Sequence, residues 1–309
     1  MPTIKRRDIL RRITGVGLAG AALPSSAATS PRPTPAAAQP LPSIRLGDKR
    51  VTRLIVGGNP IGGFAYAPEK LRQHMLAHFT PERTAELLLH CESQGITTFQ
   101  SHDSPTVRGA LKMARDCGSR IQWILLTSRF TQAIPKELLD LKPIAICHHG
   151  GRTDALFLER KPEVVRDFVK LVKDAGLTAG VSTHSPGNLA RIEDSGWEND
   201  FYMACFYNLD RTPEEVKQFV KQDTVDELHF LVADPERMTR RMRQVSKPCL
   251  GFKILAAGRL CKDSRQVEQA FQFAYTNIKP SDGVIVGMYP AFGDEVREDA
   301  GFARKYAGA

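Results

Sequence analysis

Four residues of this sequence combine proton-transfer chemistry with a position within or just after an apolar run: His149, His184, Lys253 and Asp103. Imidazole changes charge near neutral pH, so His149 could act as a general acid, a general base or a group that polarises a carbonyl. His184 could be a second acid–base group or a ligand. Lysine in an apolar run must point into a cavity or pair with a carboxylate, and a buried lysine readily becomes a base or a nucleophile. We therefore take these four as candidate catalytic residues.

Five further residues near the ends of the same runs are candidates for binding an oxygen-rich substrate: Asn59, His102, Arg129, Tyr207 and Asn208. Asparagine can orient a substrate, and tyrosine can stack on it or donate a hydrogen bond. Ordinary structural roles compete with each assignment. Lys253 could form an ion pair, Tyr207 could pack in the core or rim, and His184 could cap the following helix.

A metal site is a further possibility for the histidines. His102, His149 and His184 could form one with Asp103, because ligands from three strand ends can converge. No local ligand spacing supports such a site, so we expect none. Asp154 could pair with a neighbouring histidine or arginine.

Eight short apolar, β-branched runs provide the elements that would position these residues, and helical periodicity fills most of the intervals. Such alternation indicates βαβ units, and eight of them predict an α/β fold, a single-domain (β/α)8 TIM barrel, with its site at the carboxyl ends of the strands. The runs are Leu54–Gly57, Thr97–Ser101, Ile121–Thr127, Ile144–Cys147, Leu177–Ser182, Phe201–Phe206, Cys249–Ile254 and Gly283–Gly287.

An open doubly wound sheet is the alternative architecture. It is disfavoured because no Gly-x-Gly-x-x-Gly motif follows any of these runs. Residues 228–233 could form a ninth strand, but eight strands already close a barrel, so we expect a connection between helices there. Among the helices, Thr80-Pro81 predicts a capped start, and Pro162–Ala175 is strongly amphipathic.

The first 38 residues are typical of a cleavable export signal. Arg6-Arg7 precedes a weakly apolar run, Ile13–Leu23, and small residues follow. We expect a twin-arginine signal at 1–38, a flexible spacer at 39–43 and a barrel at 44–309. The protein would engage the twin-arginine export machinery, reach the periplasm or the exterior, and keep no stable membrane anchor, since the apolar run is too short.

The net charge of +9 does not indicate nucleic-acid binding. Residues 1–38 contribute +5 of it and leave +4 on the rest, where no basic stretch interleaved with aromatic residues occurs. We expect a small-molecule substrate and no nucleic acid.

From Leu54 to Phe302 the sequence resembles the aldo-keto reductase superfamily, and the order of the matching segments is the stronger part of the resemblance. The segments are Leu54–Asn59, Gly95–Phe99, Ile146–His149, Gly180–His184, Phe206–Asn208 and Val286–Ala300. The resemblance implies a TIM barrel that reduces carbonyls with NAD(P)H. It also implies a catalytic tetrad of Asp, Tyr, Lys and His.

The departures from that pattern concern the chemistry. The tetrad positions hold Gln100, Pro105, Ser128 and His149, so only the histidine remains. Neither glutamine nor proline can supply the proton that the family's tyrosine donates. Asp103 is the nearest carboxylate to the lost aspartate and could replace it.

The cofactor segment departs as well. Gly287 and Met288 are the weak candidates for cofactor contact, and Glu295 and Asp299 stand where the family has an arginine and an asparagine. Glu295 would repel an adenosine phosphate. The resemblance thus implies NAD(P), but the usual binding residues do not support it. The identity of the cofactor is left open.

Three functions remain. The first is an aldo-keto-reductase-like oxidoreductase with a non-standard site, acting on a small polar carbonyl or sugar-type substrate. The second is a cofactor-free lyase, isomerase or hydrolase that uses His149 and Lys253 as acid and base. The third is a non-catalytic periplasmic ligand-binding barrel.

Overall fold

A closed barrel of eight parallel strands forms the centre of the computed structural model, which describes residues 40–64, 68–130, 132–219 and 229–308. The barrel confirms the predicted fold class. The predicted signal at 1–38 lies outside the described residues. An antiparallel hairpin precedes the barrel: β1 (Ser43–Leu46) and β2 (Lys49–Thr52). The barrel strands are β3 (Leu54–Gly57), β4 (Thr98–Ser101), β5 (Gln122–Thr127), β6 (Ala145–His148), β7 (Thr178–Thr183), β8 (Phe201–Cys205), β9 (Cys249–Phe252) and β10 (Gly283–Gly287).

Helices surround the barrel in the described part of the chain. They are α1 (Glu69–His78), α2 (Pro81–Ser93), α3 (Pro105–Asp116), α4 (Lys136–Leu139), α5 (Gly150–Leu158), α6 (Glu163–Asp174), α7 (Pro186–Asp194), α8 (Pro213–Phe219), α9 (Asp234–Gln244), α10 (Ser264–Asn277) and α11 (Glu295–Tyr306). A 3-10 turn covers Ala256–Gly258. No helix in these ranges is long and apolar enough to cross a membrane.

The strand register brings the carboxyl ends of all eight strands to one mouth of the barrel. β10 pairs with both β3 and β9, which closes the sheet. Thr127 pairs with His148, and His148 pairs in turn with Val181. The residues that follow β5, β6 and β7 therefore surround the same opening. No ninth strand is inserted at 229–233, where the chain turns into α9.

The N-terminal hairpin closes the opposite end of the barrel. Ile44, Leu46 and Val51 are buried against the residues that fill the barrel interior, among them Ile55, Ile124, Phe201 and Leu250. Leu41 is also buried, and the Pro42 carbonyl accepts a hydrogen bond from the Arg53 amide at 2.8 Å. Leu41 and Pro42, which the sequence placed in a flexible spacer, are thus held against the barrel, and Ser43 is the first residue of β1.

Local signals set several helix starts. The Thr80 hydroxyl accepts from the Arg83 amide at 3.3 Å, as its position before Pro81 predicts. Ser104 caps α3 in the same way, so Pro105 is a first helical residue. Helix α5 was not predicted, because glycines at its first two positions are typical of a loop.

Two barrel glycines are required by aromatic side chains that pack against them, Phe201 inside the barrel and Phe206 on its outer side. A Cβ on Gly180 would lie 2.3 Å from the Phe201 ring, and one on Gly251 would lie 2.6 Å from Phe206. Since both rings are almost fully buried, they have little room to move.

We predict that Gly180→Ala lowers the free energy of unfolding by about 1–3 kcal/mol through overpacking. The matched control is Gly301→Ala in α11, where a Cβ meets nothing within 4 Å. This change should stabilise the protein by up to about 1 kcal/mol, since alanine favours helix. Urea unfolding measures both. Equal effects of the two variants would contradict the tight packing at Gly180.

Candidate active site

His149 lies at the junction between β6 and α5. Its Nδ1 accepts a hydrogen bond from the Arg152 amide at 3.3 Å and so caps the helix. The ring hydrogen of the neutral imidazole is therefore on Nε2. Burial, and then the charges of His102, His184 and Lys253, lower its pKa to about 4. His149 is thus a neutral hydrogen-bond donor at physiological pH.

His102 follows β4 and lies beside His149, with ring centroids 5.2 Å apart. Its Nδ1 donates to the Leu126 carbonyl at 3.1 Å. A carbonyl can only accept, so Nε2 carries the lone pair. Burial lowers the pKa of His102, and Arg129 and Lys253 lower it further, against the hydrogen bond to Leu126. His102 therefore offers a free base next to the donor of His149.

His184 follows β7 and lies between two carboxylates. Its Nδ1 is 2.8 Å from Asp210 Oδ2 and 3.1 Å from Asp154 Oδ2. Burial opposes the charged imidazole, but the hydrogen bonds to Asp154 and Asp210 outweigh it and raise the pKa of His184. Burial beside Asp154 raises the pKa of Asp210. Neighbouring imidazoles at this mouth thus have pKa values moved in opposite directions.

Asp154 lies in the first turns of α5 and fixes the end of β7. Its Oδ2 accepts from the His184 amide at 2.8 Å, and its Oδ1 accepts from the Thr183 hydroxyl and from Asn188 Nδ2, the latter at 2.8 Å. Only 2% of its side chain is exposed. Asp154 thus pairs with a histidine, one of the two partners that the sequence allowed.

Gly150 leaves room for the His184 ring. A Cβ there would lie 2.8 Å from Ser182 Oγ and 3.2 Å from His184 Cε1. Gly150 thus allows a close approach of the chain to His184, and neither Gly150 nor Gly151 has a positive φ.

Lys253 corrects one expectation. β9 ends at Phe252, so Lys253 lies just beyond the strand rather than inside it, and its backbone φ is +58°. Its side chain is half-buried, with the ammonium 5.2 Å from the centre of the Phe252 ring. Since its charge lowers the pKa of all three mouth histidines, Lys253 belongs to the same cluster. We call His102, His149, His184, Asp154, Asp210 and Lys253 the mouth cluster.

Three of the residues predicted for the site make their contacts outside the mouth cluster. Asp103 receives two hydrogen bonds from Arg108, at 2.6 and 2.7 Å, and so serves the start of α3. Tyr207 is 5% exposed and packs against Phe230. It therefore has the packing role that competed with substrate binding. Asn208 lines a separate polar cavity of about 130 Å³ beside Arg211 and Asp234.

The remaining substrate candidates lie at the rim. Arg129 is exposed near His102, whose pKa it lowers. Asn59 is half-buried, and its carbonyl accepts from the Phe64 amide at 2.8 Å to close the loop after β3.

The segment that the resemblance assigns to a nicotinamide cofactor does not fit one. Met288 is fully buried, and a Cβ on Gly287 would lie 2.6 Å from Pro60, so both residues have packing roles. The first turn of α11 carries two carboxylates, Glu295 and Glu298, beside Arg297. Glu295 accepts from the Tyr289 amide, and burial raises the pKa of both Glu295 and Asp299. Added negative charge from a phosphate would be opposed here.

Asp210 is the site residue that sequence reasoning missed. It lies in the loop after β8, two residues beyond the candidate Asn208, and the available signal was a carboxylate following a strand end. Loop geometry alone brings it to His184. The adjacent Arg211 forms a buried ion pair with Asp234, which anchors that loop.

Comparison with known proteins gives likeness of fold. No protein-family model and no curated protein matches the sequence. An aldo-keto reductase from Bacillus halodurans is 12% identical, with a TM-score of 0.45 over 87% of this chain and 95% of that one. A glycerol dehydrogenase from Gluconobacter oxydans, also 12% identical, has a TM-score of 0.40 over 71% of this chain and 65% of its own.

The same barrel is found in an enzyme of another class. A truncated 3-deoxy-D-arabino-heptulosonate 7-phosphate synthase from Thermotoga maritima is 12% identical, with a TM-score of 0.47 over 87% of this chain and 90% of that one. The likeness to all of these solved structures is one of fold alone. Function has to be argued from the mouth cluster, because one fold hosts many chemistries.

We predict that Gly150→Ala displaces the His184 ring, because its Cβ has no room between Ser182 and that ring. The side-chain NMR signals of His184 should shift, and stability should fall by about 1–3 kcal/mol. Gly151→Ala is the control, since its Cβ would lie at an ordinary 3.4 Å from His149. Unchanged His184 signals in Gly150→Ala would refute the close approach.

We also predict that stability falls as pH falls from 6.5 toward 4. His148 and His149 both have a pKa of about 4 in the folded protein, against about 6.5 when unfolded. The unfolded chain therefore binds protons first, and the stabilisation present above pH 6.5 is lost on acidification. Urea midpoints between pH 7 and 5 test this. His148→Asn should flatten the slope, and an unaltered slope would contradict the low pKa of His148.

Proposed function

We propose that this protein catalyses proton transfer on a small, polar carbonyl compound of the sugar type, as an isomerase or lyase without a nicotinamide cofactor. The juxtaposition of His102 and His149 carries the proposal. Both imidazoles are neutral, one presents a lone pair, and the other presents a hydrogen. A base and a proton donor held side by side are the usual requirement for acid–base catalysis.

The step follows from these two tautomers. His102 Nε2 takes the proton from the hydroxyl-bearing carbon next to the carbonyl. The electron pair of that C–H bond forms a C=C bond, and the π pair of the carbonyl moves to its oxygen, which receives the proton of His149 Nε2–H. To complete an isomerisation, His102 returns its proton to the former carbonyl carbon, while the hydroxyl of the neighbouring carbon gives its proton to His149 and becomes the new carbonyl. A ring separation of 5.2 Å lets the two residues reach adjacent atoms of one substrate.

Lys253 stabilises the negative charge that develops on the oxygen. Its positive charge contributes to the lowered pKa of both His102 and His149, and the residue follows β9 at the same mouth of the barrel. A fixed positive charge in a partly desolvated site lowers the barrier more than it would in water. His184 and its carboxylates lie beside this pair, at the end of the neighbouring strand β7.

Residue chemistry favours this reading over carbonyl reduction. The tyrosine that would donate the proton is replaced by Pro105, the exposed first residue of α3. The acidic start of α11 disfavours a dinucleotide phosphate there. The twin-arginine signal remains a prediction. We propose with it that the enzyme is exported and meets its substrate outside the cytoplasm.

Hydrogen exchange with solvent tests the proposed step without knowledge of the natural substrate. Dihydroxyacetone and a panel of ketoses are incubated with the protein in D₂O, and loss of the proton next to the carbonyl is followed by NMR. We expect exchange with the wild type and at least about 100-fold slower exchange with His102→Gln or His149→Gln. Above pH 5 the rate should not fall from protonation of His149, whose pKa is about 4.

Asp103→Asn is the matched control, because that carboxylate is held by Arg108 outside the cluster. It should exchange at the wild-type rate. Absence of exchange across the panel, or equal rates in wild type and His102→Gln, would overturn the proposal. A saturable thermal shift with NADPH, coupled to reduction of the ketone, would restore the oxidoreductase reading.

A further inference from the structure

We propose that Asp154, His184 and Asp210 bind one divalent transition-metal ion. The binding site itself is independent of the proposed function. Only its role in catalysis, to polarise the substrate oxygen, rests on that function.

The three donor atoms converge from three separate elements. Asp154 comes from α5, His184 from the end of β7 and Asp210 from the loop after β8, and their ligand atoms all lie within 4.8 Å of one another. His184 Nδ1 is 2.8 and 3.1 Å from the two carboxylates. Separations of about 3 Å are those of ligands around a cation bound at about 2.0–2.2 Å.

A cation satisfies these three donors better than a single hydrogen does. Nδ1 carries at most one hydrogen, and that hydrogen points at only one acceptor with good geometry. Both carboxylates nevertheless turn toward it. A neutral imidazole with two carboxylates has a charge of −2, which a divalent cation balances, and buried charges are paired or coordinate metals.

The surroundings of Asp154 are those of an oriented ligand. Thr183, Asn188 and the His184 amide donate to its oxygens and fix the direction of the carboxylate. Ligating carboxylates are commonly held by such outer hydrogen bonds. The ion pair of Arg211 with Asp234 holds the loop that carries Asp210.

The donor set indicates the class of metal. One nitrogen and two carboxylates suit Mn²⁺, Fe²⁺ or Zn²⁺, whereas Ca²⁺ prefers oxygen ligands alone. Three protein ligands leave a coordination position open, as in catalytic sites. The exposed fractions of the side chains are 2% for Asp154, 11% for His184 and 34% for Asp210, so the open position faces the solvent beside Asp210. A metal there acts as a Lewis acid on a substrate oxygen.

Manganese binding tests the site directly. The full chain is freed of metal with a chelator and titrated with Mn²⁺, with free Mn²⁺ followed by electron paramagnetic resonance and heat by calorimetry. We expect one site per chain and at least about 10-fold weaker binding in Asp210→Asn, which keeps the shape of the side chain. Asp103→Asn should bind as the wild type does. Mn²⁺ should raise the melting temperature of the wild type but not of Asp210→Asn.

Circular dichroism establishes that Asp210→Asn is folded before its affinity is compared. No saturable binding by the wild type, or equal affinity in Asp210→Asn and Asp103→Asn, would overturn the site and leave His184 in an ion pair. These outcomes are separate from the proposed function, because binding is measured without substrate. Exchange activity that survives complete metal removal would retain the acid–base step and refute the metal's catalytic role.

Discussion

The burial of the Asp154 carboxylate is the constraint on which one wall of the barrel mouth depends. A carboxylate with 2% of its side chain exposed must have its oxygens satisfied, and here the donors come from β7 and α7. The same oxygens reach His184, so the orientation of that imidazole is set by α5. Removal of any one donor would leave this buried carboxylate with one hydrogen bond fewer in a desolvated position.

The two walls of the mouth differ because desolvation meets different partners on each. His102 and His149 are buried against a backbone carbonyl and a backbone amide, neither of which carries a charge to stabilise an imidazolium. Desolvation therefore dominates and keeps them neutral. His184 is buried still more deeply, yet two carboxylates outweigh the same penalty. The pKa of one residue type is thus moved in opposite directions within a single opening.

Strand periodicity in the sequence predicted which strand ends form this mouth. Alternating strands and helices gave the barrel, and the barrel rule placed the residues after β4, β6, β7 and β9 together. His102, His149, His184 and Lys253 all lie there. Two details were beyond that rule. Lys253 turns out of the strand through a positive φ, and Asp210 reaches His184 through a loop anchored by the Arg211–Asp234 pair.

Two other candidates do not reach the mouth cluster, because neighbouring side chains bind or cover them. Asp103 follows a strand end, but Arg108 lies five residues later, on the first turns of α3, and takes both of its oxygens. Tyr207 also follows a strand end, yet its ring is covered by Phe230. Neither contact appears as a hydrophobic periodicity, because the first is an ion pair at a helix start and the second is a ring contact between two loops.

The site departs from the aldo-keto reductase pattern around β10 more than around β6. Around β6 the histidine is retained and gains a helix cap, whereas around β10 the loop is packed by Met288 and the start of α11 is acidic. An acidic start of a helix satisfies the helix dipole with its own carboxylates and leaves nothing for a phosphate. The mouth histidines and Lys253 lie instead at the ends of β4, β6, β7 and β9. The histidine side of the mouth is therefore the part of this barrel where acid–base groups are in place for a polar substrate.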